Sequence, residues 1–298
     1  MGRSGLLADA LKQIAHEVDG GFDALLPLPR DARAPLVEAM RHAVIGGGKR
    51  LRPLLLVATA QLHGVDRGHA LRAALAIEAV HAYSLVHDDL PCMDDDAMRH
   101  GKPSVHKAYG EAAAVLVGDA LQALAFELLA DPFNFGDPFV RAELVHVLAL
   151  ASGAGGMVGG QAMDMAAETT SFDLPTITRL QQLKTGALLG AAVEMGAILG
   201  HVAPDGRTHL RGYARDIGLA FQIVDDLLDH DGDEDKAGKA LRKDAAAGKA
   251  TFVSLLGAER AREQAALLVD QAIAHLAQHG QEADLLRAIA RYIVERDH

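Results

Sequence analysis

Apolar residues return every three or four positions along almost all of this 298-residue chain, and β-branched alternation is scarce. A stripe with that period can be buried along one side of a helix, whereas a strand presents one face every second residue. Ala and Leu, both strong helix formers, dominate the stripes. The spacing predicts helices near 5–19, 32–45, 53–63, 68–90, 105–130, 139–167, 174–200, 208–229, 250–278 and 282–296. The expected fold is therefore all-α, a single domain over 1–298 built as a bundle of roughly ten helices.

Half of the residues are apolar and 23% are charged, enough apolar material for one sizeable core. The formal charge of -11 is the wrong sign for a nucleic-acid partner, so a phosphate-bearing ligand must be met by local cations. Cys92 is the only cysteine, which excludes an intrachain disulfide and points to a reducing, cytoplasmic compartment. The first residues lack a continuous apolar run. The most apolar stretch, Ala112 to Ala130, is interrupted by Asp119 and Glu127, so it is expected to be a core helix with no membrane insertion.

Two aspartate clusters each close an otherwise apolar helix: Asp88, Asp89, Asp94, Asp95 and Asp96, then Asp225, Asp226 and Asp229. In the second, Gln222, Asp225, Asp226 and Asp229 lie three or four apart and share one helical face. In the first, Pro91 disfavours further helix, so Asp94 is expected on a turn that folds back toward Asp88. Facing carboxylates repel by about 4 kcal/mol at 4 Å and intermediate dielectric. They call for a cation, and an all-oxygen set without the alternate spacing and late Glu of a calcium loop suits magnesium completed by water and phosphate.

Cations stand elsewhere in the chain. Gly46-Gly47-Gly48 delivers Lys49, Arg50 and Arg52 just before a helix, where exposed amides and charge suit a phosphate. His81 lies two turns before Asp88 on the same helix face. Arg99, His100 and Lys102, then Lys184 and Thr185, then Lys239 in the polar stretch from His230 to Gly248 and Lys249 just after it, complete the set.

These residues occur in GGGKRLRP at 46–53, HAYSLVHDDLPCMDDD at 81–96, GDAL at 118–121, GGQAMD at 159–164, KTGALLGAA at 184–192, GLAFQIVDDLLD at 218–229 and DAAAGKATF at 244–252. Together they resemble the trans-prenyltransferase, or polyprenyl synthase, family, most closely its bacterial farnesyl diphosphate synthases, from about Leu25 to Ile293. The resemblance implies a helical homodimer with a central cavity in which three magnesium ions hold an allylic diphosphate. It assigns Asp88, Asp94 and Asp225 as first metal ligands, assisted by Asp89, Asp226 and Asp229. Arg99, Lys184, Lys239 and Lys249 would grip the allylic diphosphate, and Lys49, Arg52 and His81 isopentenyl diphosphate. Thr185 and Gln222 would lie near the developing cation, and Tyr83 with Ser84 would set chain length. Gly118, Gly159 and Gly160 are expected at close helix approaches, with Gln161 and Asp164 supporting the contact residues from behind.

Two positions depart from the family pattern: His100 replaces the second of two arginines at the isopentenyl diphosphate site, and Arg242 replaces a glycine before Lys243. The implied product is farnesyl diphosphate, with geranyl or geranylgeranyl diphosphate as alternatives. A non-catalytic diphosphate binder is disfavoured by the intact aspartates. A terpene cyclase is disfavoured because Asp225-Asp226-Leu227-Leu228-Asp229 stands where a cyclase has Asn, Ser and Glu.

Overall fold

The computed structural model describes residues 3–231 and 250–295, and these form an all-α fold whose one extended feature is a hairpin of two two-residue strands, Met98–Arg99 paired antiparallel with Lys102–Pro103. The chain divides into two compact units. Unit 1 comprises residues 1–146 with 198–200, and unit 2 comprises 147–197 with 201–298.

Unit 1 holds α1 (Arg3–Leu25), α2 (Ala34–Val44), α3 (Leu51–Leu62), α4 (Arg67–Asp88), α5 (Val105–Tyr109), α6 (Glu111–Ala130) and the first part of α7 (Pro138–Ser152). Asp66 caps α4 by accepting from the amides of Gly68 and His69. Alanines run along α4, with Ala70, Ala73, Ala74, Ala76 and Ala79 fully buried, so α3 and α6 can pack closely on it. At Gly118 of α6 the approach is so close that a Cβ would stand 2.0 Å from Nε2 of His87. By length and composition α6 could cross a bilayer, yet Val117, Leu121, Ala125 and Leu129 are sealed within the protein.

Unit 2 holds the end of α7, α8 (Met157–Ala166), α9 (Leu174–Gln181), a π-turn (Gln182–Gly186), most of α10 (Ala187–Leu199), α11 (Thr208–Asp231), α12 (Phe252–Leu256), α13 (Ala258–His275) and α14 (Asp284–Glu295). Its centre is α11, packed against α13, α14 and the π-turn. Tyr213 is fully buried there and donates to the Leu286 carbonyl at 2.8 Å.

Several predicted helices are divided. The expected 105–130 helix breaks at Gly110 with φ +90°, and 250–278 breaks at Gly257 with φ +82°, left-handed conformations that suit glycine. The 139–167 prediction is split around Gly153–Gly156, and 174–200 contains the π-turn. Apolar periodicity continues across each of these breaks, so it could not reveal them.

Candidate active site

In unit 1 the glycine run turns tightly before α3, with Gly46 and Gly48 at φ +71° and +74°. The three cations that follow do not act alike. Arg50 points inward: it donates to Glu78 at 2.6 Å, to Asp19 at 2.8 Å and to the Val44 carbonyl, and it is 6% exposed. Lys49 remains at the surface and Arg52 lies part-buried in the first turn of α3. The hairpin closes over this loop, with Lys102 donating to the Ile45 carbonyl. The His100 ring lies against Gly47, where a Cβ would come within 3.1 Å of it.

Burial, then the charges of Arg52, His100, Arg50 and Arg99, hold His81 well below the usual imidazole range. His81 is thus a neutral hydrogen-bonding group among cations, suited to a phosphate oxygen as an N–H donor. His100 is shifted the same way, first by burial and then by Arg99, Arg50 and Lys102. A bound diphosphate favours protonated His100, so affinity should be greatest below its depressed free pKa and fall as pH rises through the bound-state value. Because the family resemblance implies isopentenyl diphosphate at this corner, we expect His100→Arg to lower KM for that substrate, flatten its pH dependence and leave the allylic KM nearly unchanged. Steady-state kinetics from about pH 6 to 9, around the reference value of ~6.5, check this, and identical profiles for both proteins would refute it.

The first acidic cluster folds as its proline suggested. Helix α4 ends at Asp88, and the Asp94 amide donates back to the Asp88 carbonyl at 2.8 Å. Asp89 does not join the outer carboxylates: it is 2% exposed and holds Arg99 through Nε at 3.0 Å and through the terminal nitrogen. Burial raises its pKa against the opposing pull of Arg99. Asp96 also accepts from Arg99, at 3.2 Å, a partner not read from the sequence. Tyr83 is 5% exposed and meets the His87 ring edge-on at 5.9 Å, while the Ser84 hydroxyl donates to the His81 carbonyl at 2.9 Å.

In unit 2 the π-turn carries Lys184 and Thr185, and such turns concentrate at functional sites. Lys184 donates to Asp164 of α8 at 2.8 Å. Helix α8 comes this near because residue 160 is glycine: a Cβ there would be 2.2 Å from the Lys184 amide nitrogen. The π-turn in turn packs on α11, where a Cβ on Gly218 would lie 3.3 Å from Gly186 Cα. About one, two and three turns further along α11 come Gln222, Asp225 and Asp229, all part-buried. Asp226 is buried and accepts the Phe252 amide at 2.8 Å, which ties α12 to the acidic helix. Lys239, Lys249 and Arg242 lie outside the described residues.

The donors are carboxylate oxygens, the hard ligands that magnesium takes. Among the described residues no group of three or more His, Cys, Asp or Glu converges tightly enough to hold a metal alone. By donor type, Asp88 and Asp94 in unit 1 and, separately, Asp225 and Asp229 in unit 2 are compatible with a magnesium ion that completes its shell with water and phosphate.

The polyprenyl synthetase family model matches residues 33–292. The farnesyl diphosphate synthase of Escherichia coli K12 is 44% identical over 297 residues, covering 97% of each chain. The crystal structure of an FPP/GFPP synthase from Zymomonas mobilis superposes with a TM-score of 0.89 at 60% identity, covering 97% of this chain and 98% of that one. A geranyltransferase from Helicobacter pylori, crystallised with magnesium and isoprenyl diphosphate, has a TM-score of 0.80 at 32% identity and 96% coverage of both. With the acidic turn, the cationic loop and the lysine-bearing π-turn all present within that match, the chain belongs to the polyprenyl synthetase family.

Proposed function

We propose that this chain is a magnesium-dependent prenyl transferase that condenses isopentenyl diphosphate head to tail with dimethylallyl and geranyl diphosphate, giving farnesyl diphosphate. The observation that carries the reading is the coexistence of two aspartate clusters with a cationic corner built around Lys49, Arg52, His81 and His100. Bound magnesium, three ions in the loaded enzyme, would be held by Asp88, Asp94, Asp225 and Asp229 and would neutralise the leaving diphosphate. Asp89 and Asp226 assist indirectly, by orienting Arg99 and by anchoring α12.

Arg99 and Lys184, with Lys239 and Lys249, bind the allylic diphosphate, and Lys49, Arg52, His81 and His100 bind isopentenyl diphosphate. The allylic C1–O bond breaks and its electron pair leaves with the diphosphate. Thr185 and Gln222 present oxygens to the cation, whose charge such fixed dipoles stabilise. The isopentenyl double bond attacks it, and a proton is lost to the released diphosphate.

Residues 1–298 act as one catalytic domain in this reading. A homodimer is supported by apolar surface in unit 1, where Phe133 is 91% exposed, Phe139 83%, and Val115 and Leu116 about half. The single exposed thiol of Cys92 supports a cytoplasmic location.

Incubation with labelled isopentenyl diphosphate, each allylic primer and magnesium, followed by sizing of the products, tests the reaction. The fifteen-carbon product is expected, and failure to extend any primer would refute the reading. In the same assay Tyr83→Ala should shift products to twenty carbons or more, because Tyr83 lies about 7.5 Å down α4 from Asp88. An unchanged product spectrum would remove Tyr83 as the floor.

A further inference from the structure

Both polar atoms of the Gln161 carboxamide are buried without a hydrogen-bond partner among the described residues. An amide in that condition has lost its water and gained nothing in return, so it weakens the empty fold. Its position is nevertheless closely held. Gly160, immediately before it, abuts the Lys184 backbone, and Asp164, one turn after it, binds Lys184 Nζ at 2.8 Å. On a helix, positions 160, 161 and 164 fall on neighbouring parts of one face. The preceding turn is equally constrained, since a Cβ on Gly159 would lie 2.0 Å from the Ala154 carbonyl oxygen. Helix α8 thus meets the π-turn of Lys184 and Thr185 through residues 160 and 164, and the unsatisfied carboxamide of Gln161 belongs to the same turn of helix.

We infer that Gln161 is a substrate-contacting residue, its carboxamide receiving the reacting end of the allylic diphosphate beside Lys184. The inference rests on the function proposed above. The amide N–H donates to a diphosphate oxygen, while Oε1 faces the allyl carbons that become positive when the C1–O pair departs. Gln161 itself neither gains nor loses a proton. A neutral amide suits the place because its dipole stabilises the cation, whereas a carboxylate could capture it.

Gln161→Leu keeps the approximate shape and removes both polar atoms, and Gln161→Glu keeps the length and one oxygen but replaces the donor with charge. Three quantities are read on the full chain: kcat/KM for geranyl diphosphate, KM for isopentenyl diphosphate, and Tm of the substrate-free protein. Gln161→Leu should lose ~100-fold in kcat/KM for geranyl diphosphate, with the isopentenyl KM unchanged and Tm equal to or above wild type. Gln161→Glu should lose a comparable factor, which keeps the test open should the leucine variant not fold. A kcat/KM within about threefold of wild type in either variant would overturn the role, as would a loss accompanied by a matching fall in Tm. Wild type that turns over no allylic diphosphate sinks the function reading and this role with it. An active wild type with an unimpaired variant sinks this role alone.

Discussion

Asp88→Ala and Asp225→Ala should each lower kcat by ~100- to 1,000-fold or more while the protein remains folded. Each carboxylate would hold a cation against charge that grows on the diphosphate as the C1–O bond breaks, so its loss falls on the transition state more than on ground-state binding. Asp88 and Asp225 are part-buried at or near the ends of long helices. Steady-state rates at saturating substrate and magnesium, with Tm measured in parallel, decide the matter. Near-wild-type turnover in either variant would remove that residue from the metal set. Because no described cluster is complete in itself, magnesium should bind the substrate-free protein weakly, and addition of diphosphate should tighten it.

Arg50→Met should destabilise the fold by ~3–5 kcal/mol, because Glu78 would be left charged and unpaired inside the protein. The side chains of Arg50 and Glu78 are 4% and 5% exposed, and their contact is 2.6 Å. For a chain of this size that corresponds to a fall in Tm on the order of 10 °C. Removing both charges in Arg50→Met with Glu78→Leu should recover most of the loss, since replacing a whole buried pair with apolar groups is often close to neutral. Arg52→Met, two residues on at a part-buried position, should lower Tm by less than Arg50→Met and raise KM for isopentenyl diphosphate. Thermal melts of the four proteins test this, and equal stability of Arg50→Met and wild type would show that the pair does not anchor the loop.

The contrast between Arg50 and Arg52 illustrates how much of the site was legible in the sequence. The glycine run, the flanking cations and both aspartate clusters were visible, and Pro91 correctly placed Asp94 on a returning turn. The direction in which Arg50 points was not visible, because its partner Glu78 lies 28 positions away on another helix. The same holds for Asp226, whose partner is an amide 26 positions on. Asp89 resembled its neighbours in sequence and became the support of Arg99 only through the hairpin at 98–103. Gln161 carried no signal beyond its motif, since lack of a partner is a property of everything around a side chain.

By itself the sequence determined the all-α class, the approximate course of the helices and the chemical character of the site. Apolar period, turn residues and charge are local properties, set within one or two turns of chain. The tertiary structure alone decided that Arg50 turns inward to Glu78 and Asp19 and that Asp89 turns to Arg99. It also decided where long apolar stretches break at Gly110 and Gly257, and that Lys184 rides on a π-turn against Gly160. Those outcomes depend on the close packing of segments distant in sequence, where the absence of a single Cβ or the burial of one carboxylate changes which arrangement has the lower free energy.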